Sequence, residues 1–326
     1  MHGWIVIDKP VGPGSTQIVS AVKRALREGG YPKVKVGHGG TLDPLASGVL
    51  PVALGEATKL AGRMLDADKV YEFTIRFGEE TSTLDAEGEV VARSDVRPTL
   101  AQVEAVLARF TGLIEQVPPT YSALKVGGKR AYDMARAGEA VELKSRSVTI
   151  HSLTVRAELV EALPFSDRDQ EKDSPSTSSG RAEGGSSALP LSEVTLTARV
   201  SKGTYIRSLA RDIAYALETV GSVTMLRRTK AGPFNLEKAI SLDNLAASAK
   251  ARSLEQALLP LAAGLDDIPA LPVTPDQARL LRMGQKAIGI AAKPGLHLAT
   301  DRSVPVALVE LSEGELRVVR GFNLVT

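Results

Sequence analysis

The strand patterns of this chain do not alternate regularly with its helix patterns, and this order constrains the fold most. Alternating apolar and polar residues predict strands at 69–78 and 192–203. Apolar stripes at helical spacing predict helices at 15–30, 99–110 and 204–218. A doubly wound parallel sheet requires regular strand–helix alternation. The pattern therefore predicts an α+β fold, with a mixed, largely antiparallel sheet flanked by helices.

The first helix pattern leads into the segment of greatest interest. Ser15 or Thr16 is expected to cap the helix, and Gly29 and Gly30 to end it. The following "KVKV" (33–36) predicts a short strand that delivers the chain into a loop rich in glycine and proline.

Changes in composition along the chain predict its domains. Residues 1–250 are expected to form one large domain, 251–268 a linker, and 269–326 a small unit rich in strands. Residues 166–188 lack aromatic and nearly all apolar side chains. Such a segment cannot bury enough surface to offset its ordering entropy, so it is expected to be a disordered surface insertion.

The composition excludes several kinds of chemistry. The 326 residues include no cysteine, which removes disulfides, thiolate catalysis and cysteine-based metal sites. The hydrophobic content of the chain, 43%, is ordinary for a soluble protein. No apolar run approaches the roughly 20 residues that span a bilayer. The amino terminus shows no leader pattern. These features suit a cytoplasmic protein without a membrane association.

Positive charge is concentrated in two segments, although the formal net charge is only +2. One segment carries Arg199, Lys202, Arg207, Arg211, Arg227, Arg228 and Lys230, and the other carries Lys125, Lys129, Arg130, Arg136, Lys144 and Arg146. Such patches can track a phosphate backbone, or they can simply be solvated faces.

The loop "GHGGTLDPLASGVLPV" (37–52) is the strongest candidate for catalysis. It places His38, Asp43 and Ser47 among glycines and prolines. The spacing His-x4-Asp also occurs in acyltransferases, but the chain shows no means of docking to a membrane. The remaining histidines lie in unrelated contexts, so no metal site is expected. A structural turn, with Asp43 capping the next segment, stays open at this point.

Five motifs taken together resemble the TruB family, the bacterial tRNA pseudouridine-55 synthases. They are "DKP" (8–10), "GHGGTLDP" (37–44), "YSALKVGGKRAY" (121–132), "SKGTYIRSLARDI" (201–213) and "LRRTKAGPF" (226–234). They follow the family's order and cover roughly residues 3 to 245. The carboxy-terminal unit resembles the PUA-type RNA-binding domain that such enzymes append.

The resemblance implies a pseudouridine synthase fold and a cofactor-free isomerisation of uridine 55 in the T loop of tRNA. The reaction detaches uracil at N1, turns the base and rejoins it through C5. It needs no cofactor and no metal. The expected partner is the T arm of tRNA, bound by a monomer. The alternative is an RNA-binding or tRNA-folding protein without catalysis.

The same resemblance implies two catalytic residues. Asp43 would be the nucleophile or the base beside the anomeric carbon. A carboxylate that must stay ionised while screened from water needs a cation nearby, and the family's motif gives this role to Arg207. Without the motif, Arg207 would be interpreted as an exposed helix residue.

The resemblance also implies substrate-binding residues for a uridine that is flipped out of the RNA. Tyr71 would stack on the base, Tyr205 and Leu226 would line the pocket, and His38 would help to displace the base. Tyr71 also begins an aromatic stripe, and Leu226 also suits a core. Asp85 matches a second acidic position, although a turn-forming role suits it equally.

Two glycines depart from the family pattern. Gly39 stands where the family usually has threonine, and Gly14 where it often has serine or threonine. Both substitutions are expected to loosen loops rather than remove reactive groups.

Deleting residues 166–188 and joining the ends with a short Gly/Ser linker should leave the rate of pseudouridine formation nearly unchanged. The reason is the segment's lack of apolar residues between two strand patterns. Steady-state assays on tRNA test this expectation. A large loss of activity in a deletion variant with parental thermal stability would show instead that the segment contacts RNA.

Overall fold

The computed structural model describes residues 1–122, 124–139, 141, 143–162 and 189–324. The predicted insertion at 166–188 lies outside the described residues. Contacts divide the chain into two compact units. Unit 1 comprises Met1–Ala67 and Arg228–Thr326, and unit 2 comprises Asp68–Arg227. Unit 1 is thus built from two segments that are distant in sequence, whereas unit 2 is continuous.

The elements follow the chain in this order. The first segment of unit 1 contains β1 (Gly3–Lys9), α1 (Ser15–Glu28), β2 (Val36–His38), β3 (Ser47–Leu54) and α2 (Ala61–Asp66). Unit 2 contains β4 (Lys69–Phe77), β5 (Glu79–Thr81), β6 (Val90–Arg93), α3 (Leu100–Leu107), β7 (Gly112–Gln116), β8 (Lys125–Val126), β9 (Lys129–Arg130), α4 (Ala131–Arg136), β10 (Arg146–Ala162), β11 (Leu191–Val200) and α5 (Ile206–Ala216).

The boundary between the units falls within β12 (Gly221–Ala231). The second segment of unit 1 then contains β13 (Phe234–Asn235), β14 (Ala239–Ile240), α6 (Leu242–Lys250), β15 (Leu259–Pro260), β16 (Ala270–Pro272), α7 (Pro275–Arg282), β17 (Ala287–Ile288), β18 (Gly295–Asp301), β19 (Val304–Ser312) and β20 (Glu315–Gly321).

Strand β1 is the centre of the sheet in unit 1. It pairs antiparallel with β3 along its whole length, from Gly3 opposite Leu54 to Lys9 opposite Gly48. It also pairs in parallel with β14 and antiparallel with β15. Residues 3–7 of β1 are all buried, which explains why "GWIVI" is a continuous apolar run rather than an alternating one.

The core of unit 1 connects the beginning and the end of the chain. Trp4 stacks at a tilt on Phe234, with 5.2 Å between ring centroids, and its indole N–H donates to the carbonyl of Leu261. The same cluster includes Leu298 and Phe322 from the last part of the chain. Burial of these large apolar side chains stabilises this unit.

The carboxy-terminal strands form their own five-stranded sheet in the order β16-β18-β19-β20-β17. A separate apolar cluster lies between this sheet and helix α7, with Leu281, Val309 and Leu316 among its buried members. The prediction of a small strand-rich unit is therefore confirmed, and the sheet is consistent with a PUA-like domain. The domain boundaries at 250 and 268 stay a prediction.

Unit 2 contains an antiparallel sheet in the order β4-β11-β10-β7. Phe73, Ile75 and Phe77 of β4 are buried, as the alternating pattern predicts. Thr74 lies on the opposite face of β4, and its hydroxyl is hydrogen-bonded to that of Thr195 at 2.8 Å. Helix α5 packs its apolar stripe inward, with Leu209 and Ile213 fully buried. The predicted α+β class is confirmed.

Three local predictions need correction. Helix α1 is capped by Gly14, whose N–H donates to the Gln17 side chain, rather than by Ser15 or Thr16. Strand β2 starts at Val36, so most of "KVKV" is not a strand. Helix α3 ends at Leu107 and is followed by a 3-10 turn over Ala108–Phe110, which is shorter than the predicted helix.

The basic segment from Arg199 to Lys230 is not a uniform surface patch. Arg207 and Arg228 are 5% and 1% exposed, so neither can present its charge to a phosphate backbone. Arg199 forms an ion pair with Asp68, whereas Lys230 is exposed. In the part of the chain that the structure covers, no helix is long and apolar enough to cross a membrane.

Candidate active site

Asp43 lies in unit 1, in the loop that joins β2 to β3. Its side chain is half-buried, whereas the flanking Leu42 is buried and Pro44 is exposed. The carbonyl of Asp43 accepts a hydrogen bond from the N–H of Ala46, which forms a tight turn directly after the carboxylate. Donors from neighbouring elements also bind the backbone of this loop.

The lysine of "DKP" provides the first set of donors. Lys9 is 0% exposed, and its Nζ donates to the carbonyls of Pro10 and Pro13, each at 2.8 Å, and of Pro44 at 3.2 Å. Fully buried lysine is rare, and charge-assisted bonds to carbonyls compensate for its desolvation. Lys9 therefore ties the residue next to Asp43 to the loop that follows β1.

Ser15 provides a second tie at the start of α1. Its Oγ accepts a hydrogen bond from the N–H of Leu42 at 2.8 Å and donates one to the Leu42 carbonyl at 3.1 Å. The N–H of Gly12 also donates to Pro44 at 2.8 Å. Both neighbours of Asp43 are thus held through their backbone atoms. The buried Arg228 donates to further carbonyls of this loop.

Gly39 is packed rather than loose. It is buried, and a Cβ at this position would lie 2.6 Å from the Cβ of Met64. The expectation that glycine loosens the loop here is wrong, because Met64 occupies the space that a side chain would need.

His38 ends strand β2 on the same loop as Asp43. Its side chain is half-buried, and its Nδ1 atom is buried without a hydrogen-bond partner. Burial and, to a smaller extent, the charge of Arg228 lower the pKa of His38 below its ordinary value. The imidazole is therefore neutral at pH 7.

Arg207 lies in unit 2, in the first turn of α5. Its Nη1 and Nη2 donate to the carbonyls of Thr83 at 2.9 Å and Tyr121 at 3.0 Å. It also forms a buried ion pair with Asp85 at 3.2 Å. The interpretation of Arg207 as an exposed helix residue is thus wrong. Its predicted partnership with Asp43 stays a prediction.

Asp85 is both a turn residue and an ion-pair partner. Its Oδ1 accepts hydrogen bonds from the hydroxyl of Thr83 and the N–H of Glu87, while Oδ2 faces Arg207. The turn-forming interpretation is therefore confirmed, and the match to a second acidic position of the family stays a prediction. Removing either member of a buried ion pair leaves an uncompensated charge, which typically costs about 3–5 kcal/mol.

Tyr205 is the residue that precedes α5. Its backbone N–H and carbonyl are both bonded to the side chain of Gln116, which is 1% exposed. The Arg146 guanidinium lies 4.6 Å from the centroid of the Tyr205 ring, a cation–π distance. The ring is half-buried and retains an accessible surface.

The other two predicted pocket residues also lie in unit 2. Tyr71 is half-buried on β4, where it pairs with Ala198 of β11. Leu226 is buried on β12, with 6% of its surface exposed. The structure thus places His38 and Asp43 on one loop of unit 1, and Tyr71, Tyr205, Arg207 and Leu226 in unit 2.

Lys9, Gln116 and Asp85 are the residues whose contacts the sequence alone does not reveal. The sequence signals for Lys9 are its place after a continuous apolar run and its membership of the "DKP" motif, and neither shows which carbonyls it binds. The bonds of Gln116 connect positions 89 residues apart, so no local pattern predicts them. Among the described residues, no three His, Cys, Asp or Glu side chains are grouped as metal ligands.

Two family models match the chain and define its class. Residues 24–165 match the TruB family pseudouridylate synthase N-terminal domain, and residues 207–266 match the tRNA pseudouridylate synthase B C-terminal domain. These assignments make the chain a pseudouridylate synthase, which is an isomerase.

Full-length relatives give the particular family. The chain is 60% identical to tRNA pseudouridine synthase B of Novosphingobium aromaticivorans, with 99% of this chain and 98% of that relative covered. It is 57% identical to the protein of the same name from Zymomonas mobilis, with 99% and 96% covered. The chain belongs to the TruB family.

Solved structures share the fold at low sequence identity. A chain in the structure of an H/ACA RNP bound to a substrate RNA containing 2′-deoxyuridine aligns with a TM-score of 0.67 and 23% identity, covering 99% of this chain and 85% of that one. A chain in a Cbf5-Nop10-Gar1 complex aligns with a TM-score of 0.66 and 24% identity, with 99% and 84% covered.

The environment of His38 predicts a measurable pH dependence. We expect the native imidazole to titrate below 6.5, because burial disfavours its charged form. The unfolded chain then binds more protons between the native and unfolded pKa values. The stability contributed by this group is therefore complete above about pH 6.5 and falls as the pH drops.

A ¹H–¹³C NMR titration measures the native pKa, with His38→Gln assigning the resonance and the urea-denatured chain giving the reference. A His38 midpoint at or above that of the denatured chain would contradict the expectation.

Proposed function

We propose that this protein converts uridine 55 to pseudouridine in the T loop of tRNA, with Asp43 as the catalytic carboxylate. The observation that carries the proposal is the alignment with relatives named tRNA pseudouridine synthase B over 99% of the chain. The cytoplasmic location and monomeric state expected from the sequence remain part of this proposal.

The construction of the Asp43 loop supports a catalytic role. Lys9 and Ser15 fix the backbone on both sides of the carboxylate, yet the Asp43 side chain itself is only half-buried. A rigid backbone with an accessible reactive group is the arrangement that pre-organised catalysis requires. A turn needed only for chain reversal would not require a fully buried lysine.

The reaction is an isomerisation, so atoms and electrons balance within the substrate. The N1–C1′ bond breaks, the uracil turns, and a new bond joins C5 to C1′. C5 loses its proton, and N1 gains one. Asp43 acts either by attacking C1′, with the C1′–oxygen bond breaking when C5 joins C1′, or by removing a ribose proton that it later returns. Both roles require the ionised carboxylate.

The other predicted residues bind and orient the substrate. The flipped uridine must leave its stack at a cost of a few kcal/mol, which stacking on an aromatic ring offsets. The half-buried ring of Tyr71 supports its assignment as the stacking residue. Tyr205 and Leu226 would line the pocket, and the neutral imidazole of His38 would enter the space that the base leaves.

Arg207 is the cation we assign to Asp43. Its contacts with Thr83, Tyr121 and Asp85 fix the guanidinium and support a role that depends on position. The alternative function is RNA binding or tRNA folding without catalysis, for which neither Asp43 nor Arg207 would be needed.

Replacing Asp43 with asparagine separates the two functions. Asp43→Asn removes the charge and the basicity but preserves size, so turnover should fall by several orders of magnitude while the Kd for tRNA remains near the parent value. Mapping pseudouridine in a tRNA transcript measures both the rate and the position. A filter-binding titration measures affinity.

Asp95→Asn, at an exposed position, is the matched control. Turnover near the parent rate in Asp43→Asn would exclude the catalytic assignment. A lowered Tm together with lost binding would indicate a structural role. A parent protein that binds tRNA without forming pseudouridine would support the alternative function.

Charge reversal at Lys230 tests tRNA as the partner. Charge reversal at Arg227 or at Lys230 should weaken tRNA binding. Lys230 is exposed on β12 whereas Arg227 is half-buried, so Lys230→Glu perturbs the fold less and is the better test. It should weaken tRNA binding and reduce the slope of log K against log salt by about one, because phosphate contacts release counterions. Lys23→Glu, on the exposed face of α1, controls for net charge. A parental slope in Lys230→Glu would exclude a phosphate contact there.

A further inference from the structure

A buried arginine of β12 binds residues on both sides of Asp43 in the loop between β2 and β3. Arg228 is 1% exposed and is one of the largest fully buried side chains in the described residues. It lies two residues after Leu226 on β12, within the basic segment that the sequence left open as either a phosphate-binding patch or a solvated face. Since no phosphate can reach a guanidinium buried to this degree, the charge must serve another purpose.

The guanidinium donates to carbonyls on both sides of Asp43. Nη2 donates to Gly40 and Nη1 to Thr41, each at 3.2 Å, and Nε donates to Val49 at 2.8 Å. Gly40 and Thr41 precede the aspartate, whereas Val49 follows it on β3. The planar fork of arginine has donors in fixed directions, so a single side chain sets the separation of the two arms of the loop.

Strand β3 contains a glycine where it lies against Arg228 of β12. Gly48 has φ +100°, and a Cβ there would lie 2.2 Å from the carbonyl oxygen of Arg228. Only glycine lets β3 approach the backbone of Arg228 this closely. The close approach allows the Arg228 side chain to reach across the loop to Gly40 and Thr41.

Lys9 and Arg228 act on different parts of the loop. Lys9 binds the carbonyl of Pro44, directly after the aspartate. Arg228 binds the two ends of the loop, where it leaves β2 and enters β3. With both ends and the middle held by cations, the backbone that carries Asp43 has little freedom to rotate.

We propose that Arg228 is a positioning residue for the reaction: its guanidinium fixes both arms of the loop so that the Asp43 carboxylate is presented in one geometry. The inference rests on the proposed role of Asp43. It assigns Arg228 to the chemical step and removes it from the RNA-binding surface.

Two substitutions test this role. Arg228→Lys keeps the positive charge and the aliphatic stem, but an ammonium cannot reach all three carbonyls with fixed geometry. Arg228→Met also removes the charge. We expect both to lower kcat by about 100-fold or more, the scale of a displacement near 1 Å at a reacting group, while the Kd for tRNA stays near the parent value. Arg24→Lys, on the exposed face of α1, is the matched control.

The rate is expressed per binding-competent molecule, determined by stoichiometric titration with tRNA, so that a partly unfolded sample does not imitate a catalytic defect. Fluorescence of Trp4, the only tryptophan in the chain, reports folding. A parental kcat in Arg228→Lys would overturn the proposal. A raised Kd for tRNA with an unchanged kcat would also overturn it, because that result would indicate that Arg228 contacts RNA. Unfolding of Arg228→Lys at the assay temperature would also overturn it, because the role would then be structural.

The Asp43→Asn variant distinguishes this failure from failure of the proposed function. Suppose that the parent and Arg228→Lys both form pseudouridine at the parental rate and that Asp43→Asn forms none. In that case only the proposed role of Arg228 is wrong. If the parent is inactive, the proposed function itself is wrong. If the parent and Asp43→Asn are both active, the catalytic assignment of Asp43 is wrong, and the role of Arg228 is wrong with it.

Discussion

The architecture around Asp43 depends on buried cations that bind backbone carbonyls. A loop rich in glycine and proline has fewer regular backbone hydrogen bonds than a strand or helix, because proline has no N–H and a tight turn breaks the ladder. Lys9 and Arg228 donate to carbonyls of this loop from inside unit 1. Several carbonyls surround each buried cation and offset its desolvation, and the cation in turn helps to hold those carbonyls in place. Loop and cations therefore stabilise one another.

Unit 2 uses the same principle around Arg207 with one addition. Two carbonyls again accept from the guanidinium, but a buried carboxylate, Asp85, also faces it. A cation paired with a carboxylate contributes less net charge to its surroundings than one held by carbonyls alone. The net charge that Arg207 presents therefore depends on Asp85, whereas Arg228 donates to three backbone carbonyls, which are neutral acceptors.

The sequence predicts the elements well where local periodicity decides them. The apolar stripe of α5, the alternating β4 and the strand-rich carboxy-terminal unit all follow from spacing. It fails where the deciding contact is distant. Ser15 resembles a helix cap, but its hydroxyl is bonded to Leu42. Arg228 resembles a surface charge, but its acceptors lie more than 170 residues away in sequence. Charge patterning reports composition along the chain, and it cannot report burial.

The discontinuous construction of unit 1 affects how the chain acquires its structure during synthesis. Strand β1 emerges first, yet its parallel neighbour β14 and the partner of Trp4, Phe234, lie beyond the whole of unit 2. At typical elongation rates this separation is a delay of roughly 10–45 s. Unit 2 is continuous and can fold within that interval. The apolar run "GWIVI" meanwhile remains without part of its core, and an apolar strand in that state is exposed to aggregation.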